Sequence, residues 1–328
     1  MKKLITIAAL FGIVLTTAAQ NYPDVTQKYR YLAYFNPAMA GMNNNLDINA
    51  GMNLQPSGLD NSLNTSFFSG YYSTGASHQS RNSIRGTQSV DDYYARRKTN
   101  SLKFGFGTAV FVEDIGGLKS TYNSNTFAVH VPIAEHTYLS LGVAAGFNFL
   151  SYDVDNFKPE QEDDPIIDAI RADAQNTSFH IDAGLAVLSD EFYFGIGLNN
   201  LTNSYMSGNE DLTEDILVTT FMGGYRFYHS NDIEVIGVGT VNLQNTSADT
   251  NTAWNFGVRG RYRQILMAGL NYTSSSAFII QLGLQANDYL NLGYSFSYKS
   301  SSDVVVNSTH EIGVGIRLLN HNKYSPIW

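Results

Sequence analysis

From Leu46 onward the chain alternates apolar and polar residues with a period of two. Leu46, Ile48, Ala50, Met52 and Leu54 share one face, and Asp47, Asn49, Gly51 and Asn53 share the other. Side chains of a strand point alternately to its two faces, so this is a ribbon with one dry side and one wet side. The pattern returns near the other end, where Leu290, Leu292, Tyr294, Phe296 and Tyr298 alternate with Tyr289, Asn291, Gly293, Ser295 and Ser297. It closes with Ile312, Val314, Ile316 and Leu318 against Glu311, Gly313, Gly315 and Arg317. A tilted strand crosses a bilayer in about ten residues. Fourteen segments of that kind are visible, at about 46–54, 64–74, 101–112, 121–131, 137–151, 177–188, 192–199, 215–229, 232–243, 252–262, 264–273, 276–285, 288–300 and 308–318. An even count is what a bacterial single-chain barrel requires.

The connections carry a second rhythm. If the N-terminus is periplasmic, every second connection is a periplasmic turn, and most of these are short: Pro132 to His136, Ser189 to Glu191, His229 to Asp232, Arg263, and Asn287-Asp288. Those of opposite parity, 113–120, 152–176, 200–214, 244–251 and 301–307, read as longer and more polar. Outer-membrane barrels show this asymmetry and soluble sandwiches have no reason to. One connection departs from it. Residues 75–100 fall where a short turn belongs, yet form a polar stretch with Arg81, Arg85, Arg96, Arg97 and Lys98 against Asp91 and Asp92. This is either a solvated loop or a periplasmic docking element or partial plug.

Composition supports the same architecture. Charged residues are 15% of the chain and aromatics 13%, with 28 Gly, 21 Tyr and 19 Phe. After the first twenty residues no run of 18 apolar residues exists, so no transmembrane helix is expected. Lys2, Lys3, the apolar run Leu4 to Leu15 and Thr17-Ala18-Ala19 read as an export signal. The absence of cysteine excludes a lipobox, disulfides and thiolate metal sites. A net charge of −9 gives no reason to expect nucleic acid as a partner. The expected fold is all-β: a transmembrane, antiparallel, up-and-down barrel of about 14 strands, with long extracellular loops and short periplasmic turns. The expected organisation is a signal peptide at 1–19, a periplasmic or luminal N-terminal segment at 20–45, the barrel at 46–318 with the basic insertion 75–100, and a tail at 319–328. The N-terminal segment either plugs the barrel or is a simple leader.

Candidate chemistry is sparse. His130, His180 and His310 lie within strands without a local partner at a recognisable spacing. Ser178, His180 and Asp182 share one strand face, but neighbours on a flat strand cannot converge as nucleophile, base and orienter. They read as polar lumen residues. No G-x-S-x-G, H-E-x-x-H or phosphate-cradling glycine loop occurs. Gly105, Gly107, Gly195, Gly197, Gly313 and Gly315 sit at strand positions, where they relieve crowding or permit bends. Asp153, Asp155, Glu160, Glu162, Asp163 and Asp164 form an acidic outer loop that could attract calcium but lacks the EF-hand spacing. No catalytic residue, cofactor or metal ligand is assigned. The pairs Phe67-Phe68, Tyr71-Tyr72 and Tyr93-Tyr94 suit interface girdles.

The segment Tyr31-Leu32-Ala33-Tyr34-Phe35-Asn36-Pro37-Ala38-Met39-Ala40-Gly41 resembles the N-terminal signature of the PorP/SprF family of Bacteroidota outer-membrane proteins. Asn36, Pro37, Ala38, Ala40 and Gly41 are its defining residues. Leu139 to Asn148, the Asp163-Asp164-Pro165 loop, Phe192 to Leu201, Gln281 to Tyr298 and Thr309-His310-Glu311-Ile312 also resemble the family, in order, over most of residues 25–318. The chain departs from it at Asn53 to Leu59, where members commonly carry an N/Q-W-x-G-like segment, and in the size of the 75–100 insertion. The resemblance implies a non-enzymatic component of the type IX secretion system. It would support secretion or surface attachment of cargo bearing a type B C-terminal domain, such as a gliding adhesin. The implied partners are outer-membrane lipid, the cargo's C-terminal domain and periplasmic secretion or gliding components. The alternative is a passive or ligand-gated transport channel, since fourteen strands leave a lumen unless it is plugged.

Overall fold

The structure, a computed structural model, describes residues 25–43, 46–55, 63–74, 102–115, 118–134, 137–152, 175–207, 216–230, 232–245, 250–300 and 308–318. The export signal, the basic insertion with Arg81, Arg85, Arg96, Arg97 and Lys98, the acidic outer loop and the 319–328 tail lie outside the described residues.

Fourteen antiparallel strands close into a barrel. In chain order they are β1 (Leu46–Gln55), β2 (Leu63–Ser73), β3 (Lys103–Ile115), β4 (Leu118–Ala134), β5 (Thr137–Tyr152), β6 (Gln175–Ser189), β7 (Phe192–Ser207), β8 (Leu217–His229), β9 (Ile233–Asn245), β10 (Thr250–Tyr262), β11 (Leu266–Thr273), β12 (Ala277–Gln285), β13 (Leu290–Lys299) and β14 (Ser308–Leu318). Each pairs with its sequence neighbours, and β1 with β14 closes the wall from Leu46↔Leu318 to Leu54↔His310. Among the described residues no helix is long and apolar enough to cross a membrane. A lipid-embedded wall must satisfy its backbone groups internally, and closure does this without leaving an edge.

The two faces sort as the alternation requires. Leu270, Phe278, Ile280, Leu282, Tyr294 and Ile312 point outward and are exposed, Leu270 to 66%. Asn271, Ile279, Gln281, Ser295 and Glu311 point inward and are buried. An outer surface of leucine, valine and aromatic rings would be costly in water and suits hydrocarbon.

The short connections, among them Asp190–Glu191, Arg263–Ile265 and Ala286–Tyr289, share one end of the barrel with the start of β1 and the end of β14. By the general rule for such barrels this end is periplasmic. At the other end several connections are shorter than expected. Residues 113–120 are mostly ladder, with Ile115 paired to Leu118, and β7 runs on to Ser207. The physical reason is that pairing continues beyond the lipid. On β4 the outward positions change from Val131, Val129 and Phe127 to Asn125, Asn123, Thr121 and Lys119 while the pairing to β3 and β5 continues. The segment read as a strand from residue 121 thus begins at Leu118, and Leu118 to Ser120, read as connection, belong to the ladder.

The paired aromatics also divide by period two. Phe68 and Tyr72 face outward, whereas Phe67 and Tyr71 are buried inside. In these two pairs only one ring is available to a membrane girdle, and Tyr93-Tyr94 lies outside the described residues. Because Leu270 sits midway along β11, Leu270→Arg places a charge near the bilayer midplane. It is expected to destabilise the barrel by about 2–4 kcal/mol, measured by equilibrium urea unfolding in phospholipid vesicles.

Candidate functional site in the barrel lumen

Residues 25–43 lie inside the barrel. They form a 3₁₀ turn at Lys28–Arg30, one α-helical turn at Leu32–Phe35 and a second 3₁₀ turn at Pro37–Met39. None of these is long enough to be stable in isolation. Burial holds them: Val25, Tyr31, Leu32, Phe35, Ala38, Met39 and Ala40 are all within the interior cluster, together with Phe67, Phe111, Tyr138, Tyr193 and Met222 from the wall. Tyr31 meets Phe67 edge-on at 4.7 Å, and Tyr34 packs on Phe111 at 4.1 Å. The first is an edge-to-face contact and the second a tilted one, and aromatic pairing of this kind adds to the gain from burial.

The signature residues are the part of this plug that lies closest to the wall. Asn36 caps the Pro37–Met39 turn, its Oδ1 accepting from the Ala38 amide at 3.0 Å while its Nδ2 donates to the Leu185 carbonyl at 3.2 Å. Pro37 occupies the first position of that turn, where its missing N–H costs nothing. Gly41 has φ +71°, and its backbone passes against Gly105 and the Tyr72 carbonyl, so a side chain there would be both strained and obstructed.

The wall is shaped to receive it. A Cβ on Gly105 would strike the Ala40 carbonyl, one on Gly142 the Pro37 carbonyl and Ala38 amide, one on Gly184 the Asn36 side chain, and one on Gly197 the Phe35 carbonyl. The crowding that these strand glycines relieve is therefore the plug itself. Hydrogen bonds complete the seat. His130 Nε2 bonds the Ala40 carbonyl at 2.8 Å, with Ser140 on the other ring nitrogen, and Asn199 donates to the Tyr34 carbonyl at 3.2 Å.

The start of the plug is tied to the last strand. Glu311, fully buried on β14, accepts from the Thr26 amide at 2.5 Å, the Thr26 hydroxyl at 2.7 Å and the Gln27 amide at 3.1 Å. Gln281 donates to the Thr26 carbonyl at 2.7 Å. Three donors converge on one carboxylate, so its burial is compensated by charge-assisted hydrogen bonds. Arg30 lies over Gly293 and Gly313 and reaches Gln27, Asn49 and Asn291. On the facing wall Glu234 is shared by Arg226 and Arg261, and Arg259 stacks over the Tyr29 ring at 4.5 Å.

Sequence reasoning marked Asn36, Pro37, Ala38, Ala40 and Gly41, and the structure brings them together on the wall. It missed Thr26, Gln27 and Arg30, and Asn199 was marked only as part of the segment Phe192 to Leu201. Glu311 was within a marked segment, but nothing local to it showed what it holds. Ser178, His180 and Asp182 are buried on the inward face of β6. Asp182 approaches His180 at 3.5 Å and accepts from the Asn200 amide at 2.8 Å, where a register shift and a positive φ at Asn200 mark a bulge in β7. The carboxylate thus closes an irregularity in the wall. Among the described residues no group of His, Asp or Glu could hold a metal ion. Gly142→Val is expected to displace the plug and to cost about 1–3 kcal/mol through overpacking. Gly70→Ala, whose added Cβ would meet nothing within 4 Å, is its near-neutral control. Limited proteolysis of the N-terminal segment in folded protein distinguishes the two.

Comparison with known proteins places this architecture. Among solved structures the barrel is similar to the CymD monoaromatic hydrocarbon channel, with TM-score 0.51 and 13% identity over 94% of this chain and 96% of that one. It is also similar to the Pseudomonas putida toluene transporter TodX, with TM-score 0.43 and 9% identity over 92% and 95%. Omp33 of Acinetobacter baumannii matches with TM-score 0.44 and 9% identity over 84% and 100%. At these identities the likeness concerns the outer-membrane barrel fold alone. No curated protein matches the chain. The family model described as type IX secretion system membrane protein PorP/SprF matches residues 17–316, a span that contains the plug, its glycine seat and all but the last two residues of β14. The chain therefore belongs to the PorP/SprF family of type IX secretion system membrane proteins.

Proposed function

We propose that this protein supports secretion or cell-surface attachment of a cargo protein bearing a type B C-terminal domain, such as a gliding adhesin, and that it does so without catalysis. The observation that carries this reading is the family match over residues 17–316. The plugged lumen is consistent with it, because the family signature itself fills the barrel interior and leaves the protein to act through its rim and ends. An N-terminal signal cleaved after Ala19 would export the chain. The basic insertion, with Arg81, Arg85, Arg96, Arg97 and Lys98, connects β2 to β3 at the periplasmic end and is proposed as a contact for secretion or gliding components.

The hydrocarbon channels with the same fold keep a transport reading in view. Against it stand the plug's polar anchors, Glu311, His130 and Asn199, which hold backbone across the lumen. Purification of the tagged protein from native outer membranes is expected to retain a large secreted protein through its C-terminal domain, and deletion of the protein is expected to abolish that cargo's surface display. Stable open conductance in planar bilayers, with no cargo retained, would replace this reading with transport.

A further inference from the structure

On the membrane face of the wall, near the periplasmic end, lies an apolar groove of about 680 Å³. Its floor follows from the ladder. Gly260 of β10 faces Ala268 of β11 in one outward row, and the row continues to Leu282 of β12. Two small residues side by side leave a depression where the neighbouring outward rows, Tyr262↔Leu266 and Val258↔Leu270, are bulky. A Cβ on Gly260 would meet only the Glu234 carbonyl, at 3.9 Å, so the space above it is open. Ile233 and Tyr262 flank the groove on one side, and Leu284 and Leu292 on the other.

The groove ends at a charge pair. Arg263, in the turn after β10, lies 5.3 Å over the Tyr262 ring, and its Nε donates to Asp232 at 2.8 Å. Both side chains are more than half exposed, so the pair contributes little to stability and is accessible to a ligand at the water interface. Asp288, exposed in the next periplasmic turn, adds a second carboxylate. Glu234 and Arg261 of the adjoining strand ends are buried inside and bond one another, so they stay out of this count. Tyr262 and Tyr289 are exposed beside these charges, as rings at a membrane boundary are.

We propose that the groove is a binding site for a phospholipid of the periplasmic leaflet with a zwitterionic, ammonium-bearing headgroup. One acyl chain lies over Gly260 and Ala268, the phosphate meets Arg263, and the ammonium meets Asp232. The chemistry selects this occupant. The groove opens on the face that Leu266, Leu282 and Tyr294 present to hydrocarbon, so an acyl chain reaches it without crossing water. The mouth carries both signs of charge, which a zwitterion matches, whereas an anionic headgroup would face Asp232 and Asp288. The inference rests on the orientation of the barrel and does not depend on which cargo the protein serves.

The test uses the full chain purified in detergent, stripped of lipid and offered phosphatidylethanolamine and phosphatidylglycerol with identical acyl chains. Native mass spectrometry counts what is retained. The wild type should keep one phosphatidylethanolamine, preferred about threefold over phosphatidylglycerol. Asp232→Asn should abolish that preference. Gly260→Leu combined with Ala268→Leu fills the groove and should lower retention of both lipids at least about tenfold. Gly223→Leu, on the outward face of β8 where an added Cβ comes no nearer than 3.5 Å to the surrounding strands, should change nothing. Heat-modifiable migration on gels establishes that each variant is folded. If the groove variant does not fold, Asp232→Asn, at a position outside the strands, decides the matter. Equal retention of the two lipids by the wild type, unchanged retention in the groove variant, or an equal loss in Gly223→Leu would each overturn the proposal. A dimer in detergent that the groove variant dissociates would give the groove to a second copy and overturn it as well.

Discussion

A peptide group left unpaired in hydrocarbon costs several kcal/mol, and the ladder between β1 and β14 removes the last row of such groups from the wall. Closure has a consequence for the interior. With alternate residues committed to lipid, the other half of every strand must line a lumen, and apart from the rings and apolar chains that pack on the plug, such as Phe67 and Phe111, those residues are mostly polar or small. Asn, Gln, Ser, Glu and Arg side chains then face one another across a space that has to be filled by water, by ligand or by protein. Here residues 25–43 fill it, and Thr26, Tyr34 and Asn36 bond polar groups of the wall. The outer face follows from the solvent it meets, while the inner face follows from the segment it encloses.

This division explains the uneven distribution of glycine. On a lipid-facing surface glycine leaves a groove that a neighbouring ring can cover, as Phe256 does beside Gly239. On the luminal face it allows backbone to approach backbone, as at Gly105, Gly142 and Gly197. The second use is the more demanding one, because the obstructing atoms are carbonyls and amides that cannot swing aside. Substitution at the luminal glycines therefore acts on the plug, even though each belongs to a strand that would tolerate a larger residue on its own.

The barrel was largely legible in the sequence because the bilayer enforces a period that no other environment imposes so consistently. The segments found from Leu46 to Leu318 correspond to the fourteen strands, with the largest departures at the outer tips. At those tips the lipid no longer dictates the outward residue, so Glu113 to Ile115 and Leu118 to Ser120 read as a connection although they pair. The plug was harder to read. Its turns are too short to show a period, and Thr26, Gln27 and Arg30 are residue types that ordinarily meet solvent. The signature Asn36 to Gly41 could be recognised, but the glycines that seat it are about 65 to 160 positions away in the chain, and no local pattern links them. Likewise Glu311 looks like any other inward polar residue until Thr26 is placed beside it.

The Thr26 to Glu311 contact joins residues 285 positions apart, near the two ends of the described chain. Contacts of such separation form only after a large loop has closed. While β14 is missing, Thr26 and Gln27 lack their carboxylate, and the first part of the plug has no seat on that side of the wall. The buried carboxylate thus works as a clasp that engages with the final strand. The order of events in assembly is written into it: the lumen cannot be fully stoppered before the wall is complete, and an unfinished barrel is left distinguishable from a finished one by a loose N-terminal end.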